Sequence, residues 1–346
     1  MSRARNWKLL RNQVIGFQQL PGSATAKLRT VWCRNHSNMI YPTVSIGIGS
    51  YNNAGYLEIL LDSVRAQTYP AIELIVVDDC SVDNSVAVVQ QWMERTGYPV
   101  TFVRHEQNQG LVRTFSHCTQ LATGSYLSLV GSDDVLEPEL IALTVAEFAR
   151  QPPSCGVVYT DCRLIDADGK EIASSFLRYF NPAYADQPPQ GNLIVPLLRG
   201  LYLPTVTTTV RREALEAVGP HDETLFSEDL DMWLRISRKF RFVHLPGTLG
   251  AYRVHNRSAI HTNRLSLNET YFRIYRKAYF EGPEEWAAAR HSLADHAEHY
   301  YASEGPEAVA RLWYAFKETR LPKVGLFWLM ARLGIKYSTL RPLMSR

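Results

Sequence analysis

Short apolar segments that alternate with amphipathic helical segments are the feature that most constrains how this chain folds. Four segments rich in Val, Ile, Leu and Phe occupy residues 44–48, 73–77, 100–104 and 126–130. The stretches between them place apolar residues at the three- and four-residue spacing of a helix. Strand, helix and strand at this spacing predict an α/β fold with a mostly parallel sheet flanked by helices.

Two of these strands end in paired carboxylates. The second strand runs into Asp78 and Asp79, and the fourth is followed by Asp133 and Asp134. Because the carboxyl ends of parallel strands meet at one edge of a sheet, these acids indicate a cleft that handles phosphate and a cation such as Mg²⁺ or Mn²⁺. The simpler interpretation is that Asp133 and Asp134 cap the helix expected over 137–149.

The end of the first strand carries a second candidate site. Ser50, Tyr51 and Asn52 stand there, and the simple interpretation is a turn, for which Asn is common. The functional interpretation is a nucleotide pocket, in which Tyr51 stacks on a base and Asp79 accepts a hydrogen bond from the ring N–H. Together with the second pair of acids, this places a base and ribose at the first two strand ends and the phosphates at the fourth.

A third constellation crowds acids into the first turn of the helix predicted over 229–239. Glu228 and Asp229 precede or begin this helix, and Asp231 follows. The helix dipole favours acids at this position in any protein, which is the alternative explanation. If Asp229 projects into the cleft, its carboxylate is suited to take the proton from an attacking hydroxyl as a general base.

A histidine between two arginines closes the set of candidates. His255 follows a predicted strand and is flanked by Arg253 and Arg257. A single histidine is more often a structural residue than a ligand. This group would nevertheless suit a metal-bound diphosphate, because arginine pairs well with phosphate oxygens.

The chain divides by composition into three parts. We expect a basic amino-terminal arm over 1–42, an α/β domain over 43–258 and a helical appendage over 259–346. Within the domain, residues 174–204 are rich in Pro, Tyr and Phe with weak periodicity and predict a long loop. Residues 205–210 predict a strand that follows it.

The basic arm bears on where the protein works. Residues 1–42 contain seven basic residues and no acid, although the whole chain carries a formal charge of only +3. With residues 326–330 and their basic neighbours, the arm is suited to an anionic membrane surface; the alternative is a disordered arm and an ordinary packed helix. The five cysteines, which have no paired short spacing, indicate reduced thiols. We therefore expect a cytoplasmic protein, with the cytoplasmic face of the inner membrane as its hypothesised surface.

Taken together, these motifs resemble the family 2 glycosyltransferases, enzymes of the GT-A fold that use nucleotide-activated sugars. The resemblance runs from about Val44 to Ser258, and its pieces stand in family order. The quoted segments are Val44 to Asn52, Ser63 to Tyr69, Glu73 to Ser85, Asn108 to Gly110, and Ala122 to Tyr126, which leads into the acids of the fourth strand.

The resemblance implies a role for each candidate residue. It makes Asp229 the catalytic base of a Glu-Asp motif and makes Asp133 or Asp134 the metal ligand, with His255 as a further metal or diphosphate contact. The nucleotide-sugar contacts it implies are Ser50, Tyr51, Asn52, Asp79, Arg113, Asp133, Glu228 and Arg253.

Two positions depart from the family pattern. Gly131 stands where the family often has the first acid of Asp-x-Asp-Asp, so the choice between Asp133 and Asp134 as metal ligand stays open. Thr114 to Ser116 stand where the family often has Ala-Arg-Asn, and Arg113 is the neighbouring residue that would supply the charge.

The activity implied is an inverting transfer of a sugar from a nucleoside diphosphate sugar to a glycan or lipid-linked glycan, with Mg²⁺ or Mn²⁺ as cofactor. The setting expected is bacterial surface polysaccharide or lipid-linked glycan synthesis. One alternative is an inactive nucleotide-sugar binding or scaffold protein, which the missing acid at Gly131 favours. A nucleotidyltransferase would need a Gly-rich, Lys-bearing phosphate loop, which residues 50–55 do not offer. Nucleic acid is not an expected partner, because no recognition motif accompanies the basic arm.

Overall fold

The computed structural model describes residues 41–256, 258, 263–276 and 281–339. They group into two compact units. The first comprises the described residues up to 191 together with 203–220 and 239–253, and the second comprises 192–202, 221–238 and the described residues from 254 onward. The predicted basic arm lies outside the described residues apart from its last two positions.

The first unit contains every strand of the described chain. Its strands are β1 (Val44–Ser50), β2 (Ile72–Asp78), β3 (Val100–Arg104), β4 (Tyr126–Gly131), β5 (Val135–Leu136), β6 (Cys155–Ile165), β7 (Glu171–Ala173), β8 (Thr208–Arg211) and β9 (Arg241–Arg253). Its helices are α1 (Ala54–Arg65), α2 (Ser85–Thr96), α3 (Leu111–Leu121), α4 (Leu140–Arg150), α5 (Phe176–Phe180) and α7 (Arg212–Val218).

The strands form one sheet in the order β3-β2-β1-β4-β8-β6-β9-β5, with β7 paired to β6. The first four strands of this order are parallel, as their alternation with helices predicts. Beyond β4 the pairing is mixed: β8 is antiparallel to β4 and β6, whereas β6 and β9 are parallel. The predicted α/β class is confirmed, and its run of four neighbouring parallel strands ends at β4.

Strand β1 is buried along its whole length. All of its residues are buried, including Val44, Ile46 and Ile48. Parallel strands with helices on both faces lose the alternation of polar and apolar residues for this reason. Helix α1 contributes a stripe of buried residues at helical spacing, which comprises Leu57, Leu60, Leu61 and Val64.

Three local predictions are corrected by the structure. The strand predicted over 205–210 begins with a 3-10 turn, Thr205–Thr207, and only 208–211 pair with the sheet. The predicted loop 174–204 contains α5 and a second short helix, α6 (Ile194–Leu198). The helix predicted from 137 begins at Leu140, because the two-residue strand β5 pairs with β9 first. Short apolar runs carry too little periodicity to reveal such changes.

The second unit is helical. Besides α6 it contains α8 (Asp229–Ser237), α9 (Arg264–Arg276), α10 (Pro283–Ala302), α11 (Ala308–Thr319) and α12 (Pro322–Arg332), as the sequence predicts for the last ninety residues. Residues 192–202 and 221–238 belong to this unit, although the sequence places them in the α/β domain. The two units do not divide the chain at a single residue, and the domain boundary predicted at residue 258 stays a prediction. No helix in the described ranges combines the length and hydropathy that a bilayer crossing requires.

The loop before β4 generates a stability prediction. A Cβ on Gly124 would lie 2.7 Å from Ser45 N and 2.7 Å from Thr43 O, which are backbone atoms that cannot turn away. We expect Gly124→Ala to cost about 1–3 kcal/mol in the free energy of unfolding, the usual cost of overpacking. Gly55→Ala is the matched control, because a Cβ there meets nothing within 4 Å. Urea unfolding measures both, and equal stability of the two variants would contradict this packing.

Candidate functional site

The carboxyl ends of β1, β2 and β4 meet within the first unit, as the sequence predicts. Ser50 stands beside Asp78 in the register of β1 and β2. Asn53 Nδ2, after β1, donates to Ser132 Oγ, after β4, over 2.9 Å. Ser50 Oγ and Asp78 Oδ2 are buried and meet no hydrogen-bond partner in the described part of the chain. Buried polar atoms are normally paired, so this edge has acceptor and donor capacity left for a ligand.

The loop after β1 exposes one of its predicted contacts and fixes another. The Tyr51 ring is 48% exposed, so a base has access to its face. Asn52 adopts a φ of 54°, in the left-handed region that Asn tolerates. Its Oδ1 accepts from Val82 N over 2.8 Å, and its backbone N–H donates to Ser81 Oγ over 2.9 Å. Asn52 therefore ties the first two strand ends together.

Asp79 is buried in a dense network of donors. Its Oδ1 accepts from Gln109 N and its Oδ2 from Gly110 N, each over 2.8 Å. His105 Nδ1 lies 2.8 Å from Oδ1, and His105 Nε2 lies 3.0 Å from His117 Nδ1. Burial and the neighbouring His105 lower the pKa of His117. The carboxylate is thus held in one orientation by groups at the start of α3.

Asp133 and Asp134 do not cap a helix, since β5 follows them and the residue that caps α4 is Glu139. The Asp134 carboxylate is buried, and its Oδ1 accepts from Arg253 N over 3.0 Å. Burial and the adjacent charge of Asp133 raise the pKa of Asp134 well above its ordinary value. Asp133 is only half-buried.

Arg253 holds the Asp133–Asp134 loop in place. Besides its backbone bond to Asp134, its Nε donates to the Asp133 carbonyl over 2.7 Å, and its Nη1 donates to the Asp166 carbonyl over 2.9 Å. The guanidinium lies 4.6 Å from the centre of the Tyr56 ring. These contacts give Arg253 a structural role, and its predicted contact to a diphosphate stays a prediction.

The two acids fit a hard divalent cation. Both carboxylates converge on Gly131: a Cβ there would lie 2.9 Å from Asp133 Oδ1 and 3.3 Å from Asp134 Oδ2. A cation would relieve the repulsion that raises the pKa of Asp134. Nowhere in the described ranges do three His, Cys, Asp or Glu side chains come together as a complete metal site. Mg²⁺ and Mn²⁺ are compatible with this donor set, because they take one or two carboxylates and complete their shell with phosphate and water.

Glu228 and Asp229 are adjacent acids at the start of α8, in the second unit, and Glu228 is buried whereas Asp229 is half-buried. Burial, and secondly the charge of Asp229, raise the pKa of Glu228 to about 8. Glu228 Oε2 is buried and has no partner in the described part of the chain. Burial also raises the pKa of Asp229, although its Oδ1 accepts from Ser227 Oγ over 2.9 Å and from Leu230 N over 2.7 Å.

Two tyrosines that the sequence did not single out neighbour this pair. The hydroxyls of Tyr202 and Tyr271 share a hydrogen bond. Burial, and secondly the charge of Asp229, raise the pKa of Tyr202, while burial is also the main reason why the pKa of Tyr271 is raised. Tyr202 lies in the predicted long loop and Tyr271 on α9, so no strand end or motif marked them.

The remaining predicted contacts lie at element boundaries. Arg113 is exposed in the first turn of α3. His255 follows β9 and is buried, and its backbone N–H donates to Ser258 Oγ over 3.1 Å. His105, which the sequence does not single out as a site residue, stands directly after β3, in the same position as the acids that follow β2 and β4. Asp78 has no predicted role.

Comparison with known proteins identifies related sequences. The family described as Glycosyl transferase family 2 matches residues 45–197. The hyaluronan synthase of Pasteurella multocida is 28% identical over 211 residues, which are 61% of this chain and 20% of that protein. The putative teichuronic acid biosynthesis glycosyltransferase TuaG of Bacillus subtilis (strain 168) is 27% identical over 238 residues, 68% of this chain and 88% of that protein. The chain spans less than a third of several such relatives, including two of Rickettsia.

Solved structures share the fold at lower identity. The mannosyltransferase PcManGT from Pyrobaculum calidifontis, in complex with GDP-Man and Mn²⁺, superposes with a TM-score of 0.57 at 19% identity, covering 99% of this chain and 94% of that one. S. aureus TarS gives a TM-score of 0.58 at 18% identity, covering 88% and 52%. These likenesses confirm the GT-A fold.

The raised pKa of Glu228 generates a pH prediction. An acid whose pKa is higher in the folded chain, here about 8 against an ordinary 4.5, favours folding when protonated, so stability declines as pH rises between these values. Glu228→Gln keeps the neutral form at every pH. We expect its Tm to match that of the unsubstituted protein at pH 5 and to exceed it by ~5 °C at pH 9, as several kcal/mol imply.

Glu223→Gln is the control for this measurement, because Glu223 is an exposed acid in the loop that precedes Glu228. Its Tm is expected to follow that of the unsubstituted protein at both pH values in calorimetry. If the Tm of Glu228→Gln differed from that of the unsubstituted protein by the same amount at pH 5 and at pH 9, the assigned pKa would be contradicted.

Proposed function

This chain is a member of glycosyltransferase family 2 through its residues 45–197, and from that premise we propose that it transfers a sugar from a nucleoside diphosphate sugar to a glycan acceptor with inversion at the anomeric carbon. The observation that carries the proposal is the adjacent Glu228 and Asp229 carboxylates at the start of α8, of which Glu228 is buried and Asp229 is half-buried. One oxygen of Asp229 is fixed by two donors, and burial raises its pKa, which makes its conjugate base stronger.

The donor nucleotide is proposed to bind at the carboxyl ends of β1 and β2. Tyr51 offers an exposed ring for stacking, and Asp78 Oδ2 and Ser50 Oγ, which have no hydrogen-bond partner among the described residues, offer polar contacts to base or ribose. Asp79 lies at the same edge and has its orientation fixed, although three donors already occupy its carboxylate. The complexes of similar folds with GDP-Man and UDP-GlcNAc support this class of donor.

Asp229 is the proposed general base. It would accept the proton of the acceptor hydroxyl as that oxygen attacks the anomeric carbon, while the bond from that carbon to the diphosphate breaks. The mechanism needs no covalent nucleophile, since positioning the two substrates and stabilising the leaving group are the larger tasks. The Tyr202–Tyr271 hydrogen bond supports the local structure around this base.

The proposed holders of a divalent cation are Asp133 and Asp134, with Asp133 as the more accessible carboxylate. When bound, the cation would neutralise charge on the departing nucleoside diphosphate. Arg253 keeps the loop that carries these acids in position. His255 and Arg113 stay proposed contacts for the diphosphate, and Glu228 a proposed contact for the nucleotide sugar.

The proposed acceptor is a glycan or lipid-linked glycan in surface polysaccharide synthesis. The names of relatives, a hyaluronan synthase and a putative teichuronic acid glycosyltransferase, support this setting. A cytoplasmic protein at the inner face of the membrane is the matching location. The competing proposal is a nucleotide-sugar binding protein without activity, which the glycine at position 131 favours because it removes one acid from the cation site.

Substitution of the base separates these two proposals. We expect Asp229→Asn to lower turnover ~100-fold or more, the usual scale for a general base, while UDP or GDP binding survives. Asp222→Asn, a matched change in the loop before α8, is expected to keep normal turnover. Calorimetric titration reports binding, and nucleotide release in the presence of acceptor reports turnover. Near-normal sugar transfer by Asp229→Asn would show that Asp229 is not the general base.

The cation site has a test of its own. A methyl group on Gly131 would push against the Asp133 and Asp134 carboxylates, which are flexible enough to move without unfolding the loop. We expect Gly131→Ala and Asp133→Asn each to weaken Mn²⁺ binding ~10-fold or more in the presence of UDP or GDP, because each disturbs a carboxylate ligand. Gly55→Ala is the control for the added methyl group. Unchanged Mn²⁺ affinity, measured by electron paramagnetic resonance, would place the cation elsewhere.

A further inference from the structure

Helix α12 has an exposed apolar side. Val324 and Phe327 pack inward and are buried. On other sides of the same helix and just beyond its end, Leu326, Leu329 and Leu333 are 52%, 47% and 67% exposed. These three positions follow a spacing of three and four residues and therefore share one side. A helix that is apolar all round is normally buried, so this side lacks a covering partner in the described chain.

Helix α11 extends the same surface. Val309 and Trp313, one turn apart, are 39% and 41% exposed. The Trp313 ring centre lies 4.6 Å from that of Trp328 on α12, so the two helices are in contact through these rings. Together these exposed residues form what we call the C-terminal apolar face: Val309, Trp313, Leu326, Leu329 and Leu333.

The surroundings of this face are basic. Residues 308–339 contain six basic residues and a single acid, Glu318. Arg311, Lys323 and Lys336 are paired with carboxylates of the second unit. Three further cations are exposed and have no acidic partner among the residues that the structure describes: Lys317, Arg320 and Arg332. The guanidinium of Arg332 lies 5.4 Å from the centre of the Trp328 ring.

We propose that the C-terminal apolar face binds the surface of an anionic lipid bilayer. Leucine and tryptophan side chains on one side of short helices, with arginine and lysine around them, are the composition of helices that lie in the headgroup region. Indole rings suit this depth because they are apolar with one polar N–H. The cations at the rim would contact lipid phosphates, each adding to the attraction.

The charge around this face argues against two other occupants, a second copy of this chain and residues 1–42 of the same chain. In a symmetric dimer that buried this face, the cations of one copy would meet those of the other. A cover formed by residues 1–42 of the same chain would also be repelled, because that segment has seven basic residues and no acid. An anionic bilayer complements both the apolar surface and its rim. The proposal is independent of the transfer reaction proposed above.

Flotation of the full-length protein with lipid vesicles tests this proposal. One set of vesicles contains phosphatidylcholine alone and the other also contains phosphatidylglycerol. We expect binding at low salt only to the anionic set. Leu326→Ser with Leu329→Ser is expected to weaken binding ~10-fold or more, and so is Lys317→Glu with Arg332→Glu, because each pair removes one component of the interaction.

Matched controls lie in the first unit. Ile59→Ser removes an apolar side chain of similar exposure, 49%, and Lys170→Glu reverses an exposed charge. Both are expected to bind vesicles like the unsubstituted protein. Circular dichroism checks that every variant is folded, and nucleotide-sugar hydrolysis without vesicles reports the enzyme separately.

Three results would overturn the proposal. The first is no binding of the unsubstituted protein to anionic vesicles at low salt. The second is full binding by the Leu326→Ser, Leu329→Ser variant, which would assign the attachment to another part of the chain. The third is a dimer, seen in sedimentation velocity, that this variant abolishes, because a second copy would then be the occupant of the face.

Discussion

The parallel pairing of β1 with β2 on one side and β4 on the other is the constraint on which the site depends. Its register sets Ser50 beside Asp78 and Gly49 beside Gly131. The loops that follow β1, β2 and β4 therefore leave the sheet at the same level. Ladder hydrogen bonds and burial on both faces hold these strands, and a slip of one residue would move every side chain to the opposite face of the sheet. The packing of these buried strands therefore sets the positions of the polar groups at their ends.

In each of the two units, candidate functional residues are carboxylates removed from water at an energetic cost. Asp79 is compensated by two backbone N–H groups and a histidine, whereas Asp134 and Glu228 are compensated less completely and their pKa values rise. Burying a charge without full pairing opposes folding, and such groups concentrate at functional sites because ligands complete the pairing. The large core of the sheet supplies the stability that tolerates these groups.

The sequence predicted the four neighbouring parallel strands because strands such as β2 contain continuous apolar runs between clear helical stripes. It predicted that the acids after β2 and β4 stand at the same edge of the sheet, since that follows from strand direction alone. Two features of the structure could not be predicted from the sequence. The mixed half of the sheet depends on long-range pairs such as β6 with β9, which no local pattern encodes. The roles of Arg253 and Tyr202 depend on contacts with residues distant in sequence, as in the bond of Arg253 to Asp134.

The hydrogen bond from Asn53 to Ser132 has a consequence for the order of events at this edge. It joins the loop that offers Tyr51 to the loop that carries Asp133, over 2.9 Å. Two loops joined in this way fluctuate together. A ligand that orders one loop therefore reduces the conformational entropy that the other loop loses when its own ligand binds. A nucleotide and a cation bound at the two loops would therefore strengthen each other's binding by the same factor, whichever arrives first.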